Sequence, residues 1–173
     1  MDHLIALLKD QPRNPRISDL IVAAEAESSV DLSNNADALR GVWELRWSSA
    51  KQPWLQQAPW LENLQVLDPA VRRGMNLLRL SGPLASTAAI TVEAQLSLEL
   101  PNRVGVCFYR GGWRGPKVAG FQRLELMKSV KQAFPAWLDI TVLTPKLRLC
   151  RGNAGTQFAL LKRDDLSVSD FLS

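Results

Sequence analysis

"LRLCRGNAGTQFALLKR" (147–163) decides how the chain folds, because it reads as a phosphate-binding loop, a catalytic elbow or a hairpin. Apolar and polar residues alternate on both sides of Gly152-Asn153-Ala154-Gly155, and the glycines supply the positive φ that a tight turn needs. A phosphate loop requires a strand followed by a helix and a Gly-Lys-Ser/Thr ending, and neither is present. The stretch is a hairpin of strands 146–151 and 156–162. Leu147, Leu149 and Arg151 share one face of the first strand, expected to point inward, while Phe158 and Leu160 supply an apolar face on the second.

Upstream the same period of two recurs. "GVWELRW" (41–47) puts Trp43, Leu45 and Trp47 on one face, and "AAITVEAQLSLEL" (88–100) separates Ile90, Val92, Ala94, Leu96, Leu98 and Leu100 from Thr91, Glu93, Gln95, Ser97 and Glu99. Strands are also expected at 63–68, 73–80, 103–110, 117–126 and 137–143, with Pro, Gly or Asn between them at hairpin-like intervals. No helix-length crossover separates them, so the fold class is mainly β, a closed antiparallel barrel or a sandwich over 41–173 rather than a parallel sheet. Residues 1–40 differ. There, "MDHLIALLKD" and "NPRISDLIVAAEAE" read as two short helices, the second with Ile17, Leu20, Ile21 and Ala24 on one face, Asn14 as cap and Pro15 in its first turn. This segment is expected to pack outside the barrel or across one end.

Composition limits function. The 173 residues, 46% hydrophobic and 22% charged, suit one globular domain. No apolar run exceeds the five residues of "LIALL" or "LIVAA", so no segment spans a bilayer as a helix, and Asp2 stands where a signal peptide would be basic. His3 is the single histidine, which argues against triad chemistry. Cys107 and Cys150 read as two buried thiols rather than a disulfide or a metal pair. No catalytic residue, metal or cofactor is expected.

Charge is segregated. Residues 1–40 hold four Lys or Arg against seven Asp or Glu, and residues 41–173 hold seventeen against ten. Residues 100–124 carry five cations and no anion. Within that run "YRGGWRGPK" (109–117) reads as a hairpin tip with Trp113 between Arg110 and Arg114 and Lys117 close behind. An indole among cations either folds back over the barrel or suits the head-group zone of an anionic membrane or lipid particle, and no nucleic-acid partner is expected. "KQPWLQQAPWLEN" (51–63) lacks a period and reads as a loop, in which Trp54 and Trp60 either plug the barrel end or gate an apolar ligand.

Propensity does not explain the arginine at the hairpin. A charge at an inner rim needs a carboxylate, a carbonyl, an aromatic face or an anionic ligand. In a barrel the first and last strands meet, so Trp43 is the expected partner of Arg151, or of Arg148 if the facing of that strand is shifted by one residue.

Two stretches resemble a known family. "LRGVWELRWSS" is similar to its strand L-x-G-x-W-x-L-x-(Y/W)-(T/S)-S, and "WLDITVLTPKLRLCRGNAGTQFALLKR" to its C-terminal block W-L-D-T-T-Y-L-D-x-x-L-R-I-x-R-G-x-x-G-x-x-F-V-L. This is the plastid lipid-associated protein (PAP)/fibrillin family of chloroplasts and cyanobacteria, here in its cyanobacterial form. The resemblance implies a lipocalin-like barrel and a place on thylakoid or plastoglobule-type lipid, on the cytoplasmic side of the thylakoid membrane. It also implies a role in storing, carrying or protecting isoprenoid lipids such as quinones, carotenoids or tocopherols. Residue by residue it points to Gly41, Trp43, Trp137, Leu138, Asp139, Thr141, Leu147, Arg148, Arg151, Gly152, Gly155 and Phe158. Leu143-Thr144-Pro145-Lys146 stands where the family has a Leu-Asp, which leaves Asp139 as the carboxylate partner for an arginine.

The expected ligand-binding set is Trp43, Leu45, Trp47, Trp54, Trp60, Asp139, Thr141, Arg148, Arg151 and Phe158, around a lipophilic small molecule. Arg110, Trp113, Arg114 and Lys117 form the expected membrane contact. The competing readings are a lipocalin-fold bilin lyase, with an inner Arg or carboxylate gripping propionates, and a coat protein of lipid particles.

Overall fold

A computed structural model describes residues 1–51, 58–86, 88–118, 122–132 and 135–172, without the side chains of 84, 86, 117, 118, 122 and 123. Trp54 and the side chain of Lys117 lie outside the described residues.

Two helices, α1 (Asp2–Asp10) and α2 (Ile17–Ala26), precede nine strands. These are β1 (Gly41–Ser48), β2 (Leu61–Asp68), β3 (Arg73–Leu80), β4 (Ala89–Glu99), β5 (Arg103–Val118), β6 (Gln122–Ser129), β7 (Ala136–Leu143), β8 (Leu147–Gly152) and β9 (Gln157–Lys162). All neighbours are antiparallel, in the order β4-β3-β2-β1-β9-β8-β7-β5-β6, and β4 pairs back onto β5 to close the ring. The chain ends of the barrel meet as expected, with Trp43 opposite Lys162. Strand β5 is long enough to serve two partners on one edge: Arg103–Val106 pair with β7 and Arg110–Val118 with β6. The strand expected at 117–126 is thus two strands. The expected hairpin tip at 109–117 lies within β5, mostly in its second half.

Apolar side chains gather in three places. Trp43, Leu45, Leu67, Leu96, Ile140, Cys150 and Leu160 fill part of the barrel interior. Outside, Leu4, Leu8, Ile17, Ile21 and Ala24 of the helices cover Val142, Leu147, Leu149, Ala159 and Leu161. On another outer face, Val168 and Phe171 of the C-terminal segment cover Val42, Leu64, Val66, Met75 and Leu77. The α2 face read from its spacing is the buried one, although the helix begins at Ile17, past Pro15, with Asn14 Oδ1 accepting the Arg16 N–H at 3.0 Å.

Two bulges connect the barrel to its helices. Leu45 and Trp47 face successive residues of β9, which makes Arg46 an extra residue, and Ile140 and Val142 face successive residues of β8, which does the same for Thr141. Each extra residue holds a helix. Arg46 donates from Nε to Leu8 O (3.0 Å) and from Nη2 to Lys9 O (2.9 Å), satisfying carbonyls that the last turn of α1 leaves open. Thr141 Oγ1 donates to Glu25 of α2 at 2.8 Å.

Candidate functional site

The barrel is filled toward one end and hollow toward the other. The hollow is a cavity of about 200 Å³ whose walls include Leu67, Gly74, Ala94, Leu96, Val106, Phe108, Leu138 and Phe158, with the β8–β9 turn at its rim. Its polar side chains on the β2–β3 wall are Gln65 and Asn76, which face each other across the two strands.

Beneath Gln65 lies a buried cation. Arg148 is 0% exposed, its guanidinium carbon sits 5.1 Å from the centroid of the Trp43 ring, and Nη2 donates to Gln65 Oε1. Among the described residues its Nε and Nη1 have no hydrogen-bond partner. The neighbouring Cys150 is a weak acceptor, and burial pushes its thiol pKa up to about 11, which keeps it neutral. Burial likewise lowers the Arg148 pKa. Trp43 is fixed in turn: its indole N–H donates to Leu39 O at 2.9 Å, and Lys162 Nζ lies 5.2 Å from its ring. Gly41, at φ +149°, lets the Lys162 stem pass where a Cβ would lie 2.6 Å from Lys162 Cε.

The arginine that stacks on Trp43 is therefore Arg148, and the facing expected for β8 is corrected by one residue. Leu147 and Leu149 lie under the helices, and Arg151 on that outer face grips Glu25 of α2 at 3.1 and 2.5 Å. The reason is that β8 is covered on both faces, so its more apolar side marks the helix contact rather than the barrel interior. Burial raises the Glu25 pKa, but hydrogen bonds from Arg151 and Thr141 outweigh it and hold the carboxyl below its ordinary value.

Three further expected ligand residues are displaced from the interior. Past the Arg46 bulge, Trp47 packs against the helical cluster outside. Thr141 is itself a bulged residue tied to α2. Asp139, the expected partner of an arginine, pairs with Arg103 on the neighbouring strand, taking bonds of 2.6 and 3.1 Å, while that guanidinium stacks 3.8 Å from the Trp137 ring. Trp43 and Leu45 are inside but within the packed layer, Phe158 lines the cavity, and Trp60 is exposed beside β2.

The expected membrane residues also divide. Because 110–114 is strand, Arg110 and Arg114 point to one side and Trp113 to the other. Arg114 is buried, bonded to Glu93 Oε1 (3.4 Å), Glu125 Oε1 (2.7 Å) and the Phe171 carbonyl (3.3 Å), and so is corrected from a contact residue to a packing one. Arg110 remains exposed. Trp113 is 40% exposed, folded over Gly115, and in register with Ile90 (60%) and Leu126 (65%), a row of three apolar side chains across β4, β5 and β6.

Sequence reasoning missed Gln65 and Asn76. The signal was partial: Gln65 shares its face of β2 with Asn63 and Leu67, and Asn76 is the polar residue among Gly74, Leu78 and Leu80 on the matching face of β3. Among the described residues no three His, Cys, Asp or Glu side chains group as metal ligands, and no helix is long and apolar enough to cross a membrane.

A closed antiparallel ring, packed below and hollow above with apolar walls, defines a small β-barrel with an internal cavity. The chain belongs to the PAP_fibrillin family, whose model matches residues 7–161, most of its length, and which is a family of lipid-associated proteins. No curated protein and no solved structure gives a significant match.

Proposed function

We propose that this chain is a non-catalytic binder of lipophilic molecules, isoprenoid lipids such as quinones, carotenoids or tocopherols, working at photosynthetic membranes or lipid particles. The observation that carries this reading is the apolar cavity inside the barrel. Its volume of about 200 Å³ decides how a lipid sits. Ligand pockets usually hold roughly 300–1,000 Å³. A ring or a short chain segment fills the cavity here, and the rest of a long lipid extends through the mouth. Burying about 400 Å² of such a molecule gains roughly 10 kcal/mol before losses of motion, which suffices for micromolar binding.

The row Ile90–Trp113–Leu126 supports a peripheral contact with an anionic membrane or particle surface, since three exposed apolar side chains in register are costly to leave in water. The test is mass spectrometry of the lipid extract after the protein is incubated with a thylakoid-type lipid mixture. Wild type is expected to retain lipid, and Ala94→Phe, which fills the cavity from β4, is expected to lose it with an unchanged circular dichroism spectrum. Equal retention by both, or none by wild type, overturns the reading.

A further inference from the structure

The buried guanidinium below the cavity settles which way one cavity side chain faces. A guanidinium only donates hydrogen bonds, so the Gln65 atom against Arg148 is the amide oxygen. The other half of that carboxamide, two N–H donors, has no hydrogen-bond partner among the described residues, although Gln65 lines the cavity. Asn76, directly across on β3, is free to turn either end toward a ligand. Gln65 is not, because turning would set its NH2 against a buried cation. Leu67, Ala94, Leu96, Val106 and Phe108 offer no polar side chain.

Charge acts in the same direction. Arg148 is fully buried and meets no carboxylate among its partners, so its positive potential is poorly screened across the wall. A ligand head that only donates, such as an ammonium, leaves the Gln65 N–H groups unpaired and faces that potential. An accepting oxygen satisfies both.

We infer that the buried end of the ligand carries a hydrogen-bond-accepting oxygen, carbonyl or carboxylate, received by the Gln65 amide N–H, with Arg148 as the positioning residue that fixes Gln65. This rests on the reading of the cavity as a site for lipophilic molecules.

Displacement of Nile red by 2-decanone, decanoate and decylamine tests it, because the three share an alkyl chain and differ in the head. Wild type is expected to bind the ketone and the acid about tenfold more tightly than the amine, the equivalent of one buried hydrogen bond. Gln65→Glu pairs with Arg148 and turns that wall acceptor-only, so the preference is lost. Gln65→Met removes the donor but leaves the Arg148 charge, so the preference narrows without vanishing. Asn76→Leu keeps the preference. Arg148→Met releases the carboxamide to turn either way, so the preference narrows while dye affinity stays, an effect that a purely structural arginine does not produce. Equal binding of all three heads to wild type, or an unchanged preference in both Gln65 variants, overturns the inference and leaves the cavity reading standing. Failure of all three probes to displace bound dye, or of the dye to bind at all, overturns both.

Discussion

Replacing Arg148 by Met and by Ala separates what its charge contributes from what its bulk contributes. The bond to Gln65 is worth about 1.5–3 kcal/mol as a charged hydrogen bond and the desolvated contact with Trp43 about 2 kcal/mol. Against these stand the two unpartnered donors, Nε and Nη1, at about 1–3 kcal/mol each. The terms nearly cancel, as they often do when a buried charge is exchanged for an apolar side chain of similar size. Arg148→Met is accordingly expected to change stability by no more than about 1 kcal/mol. Its one new orphan, the Gln65 oxygen, lies on a residue that lines the cavity. Arg148→Ala also empties a site that is 0% exposed against Trp43, so a loss of about 2–5 kcal/mol is expected. For a domain of this size each kcal/mol moves Tm by about 2–4 °C, which makes the two variants differ by on the order of 10 °C in a calorimetric melt. A drop with Met as large as that with Ala refutes the reasoning, because the guanidinium would then be a net stabiliser rather than a group held near break-even.

Three more outcomes follow from contacts at the helices, the thiols and the barrel mouth. Glu25→Gln is expected to cost about 1 kcal/mol at pH 7, discounted because Arg151 is 45% exposed. The folded pKa of Glu25 lies below the ordinary 4.5, so its contribution is present above that value and lost as pH falls through the folded pKa, and wild type and variant should converge in acid denaturation. Cys107, expected to be buried like Cys150, is exposed on β5, so in a thiol titration at pH 8 it should react while Cys150 reacts only on unfolding. The Cys150 thiol, raised from 9.0 to about 11, adds a loss of stability that begins near pH 9 and grows through pH 11, and Cys150→Ala should remove that part. Cosedimentation with anionic vesicles is expected to fall several-fold for Trp113→Ala with Leu126→Ala. Salt should weaken it only modestly, because Arg114 is occupied by Glu93 and Glu125 while Arg110 stays exposed; recovery equal to wild type would remove the apolar row from the membrane contact.

What the sequence could and could not disclose follows from what alternation measures. Period two reports that a segment is a strand and which residues share a side, and this was enough for antiparallel closure of β1 on β9 and for Trp43 as the aromatic partner of an inner arginine. It does not report which side is inside once both faces are covered. In β8 the pair Leu147 and Leu149 outweighs Arg148 and Cys150 in hydrophobicity, yet the first pair serves the helices and the second the barrel. Bulges defeat alternation outright, since one extra residue reverses every side chain beyond it. Arg46 reverses Trp47 and Thr141 reverses Val142, and both reversed residues land in the outer cluster that receives α1 and α2. The bulged residues then bond the helices themselves, Arg46 to the end of α1 and Thr141 to Glu25. The two irregularities therefore have one physical role: they turn apolar side chains outward where helices must dock, and each supplies the polar group that holds its helix there. The first reversal takes Trp47 out of the interior, and Thr141 lies outside by plain alternation from the inward Ile140. The ligand wall is left to β2–β5, the start of β7 and Phe158 with the β8–β9 turn, and Gln65 and Asn76, not an arginine, are the polar side chains of its β2–β3 side.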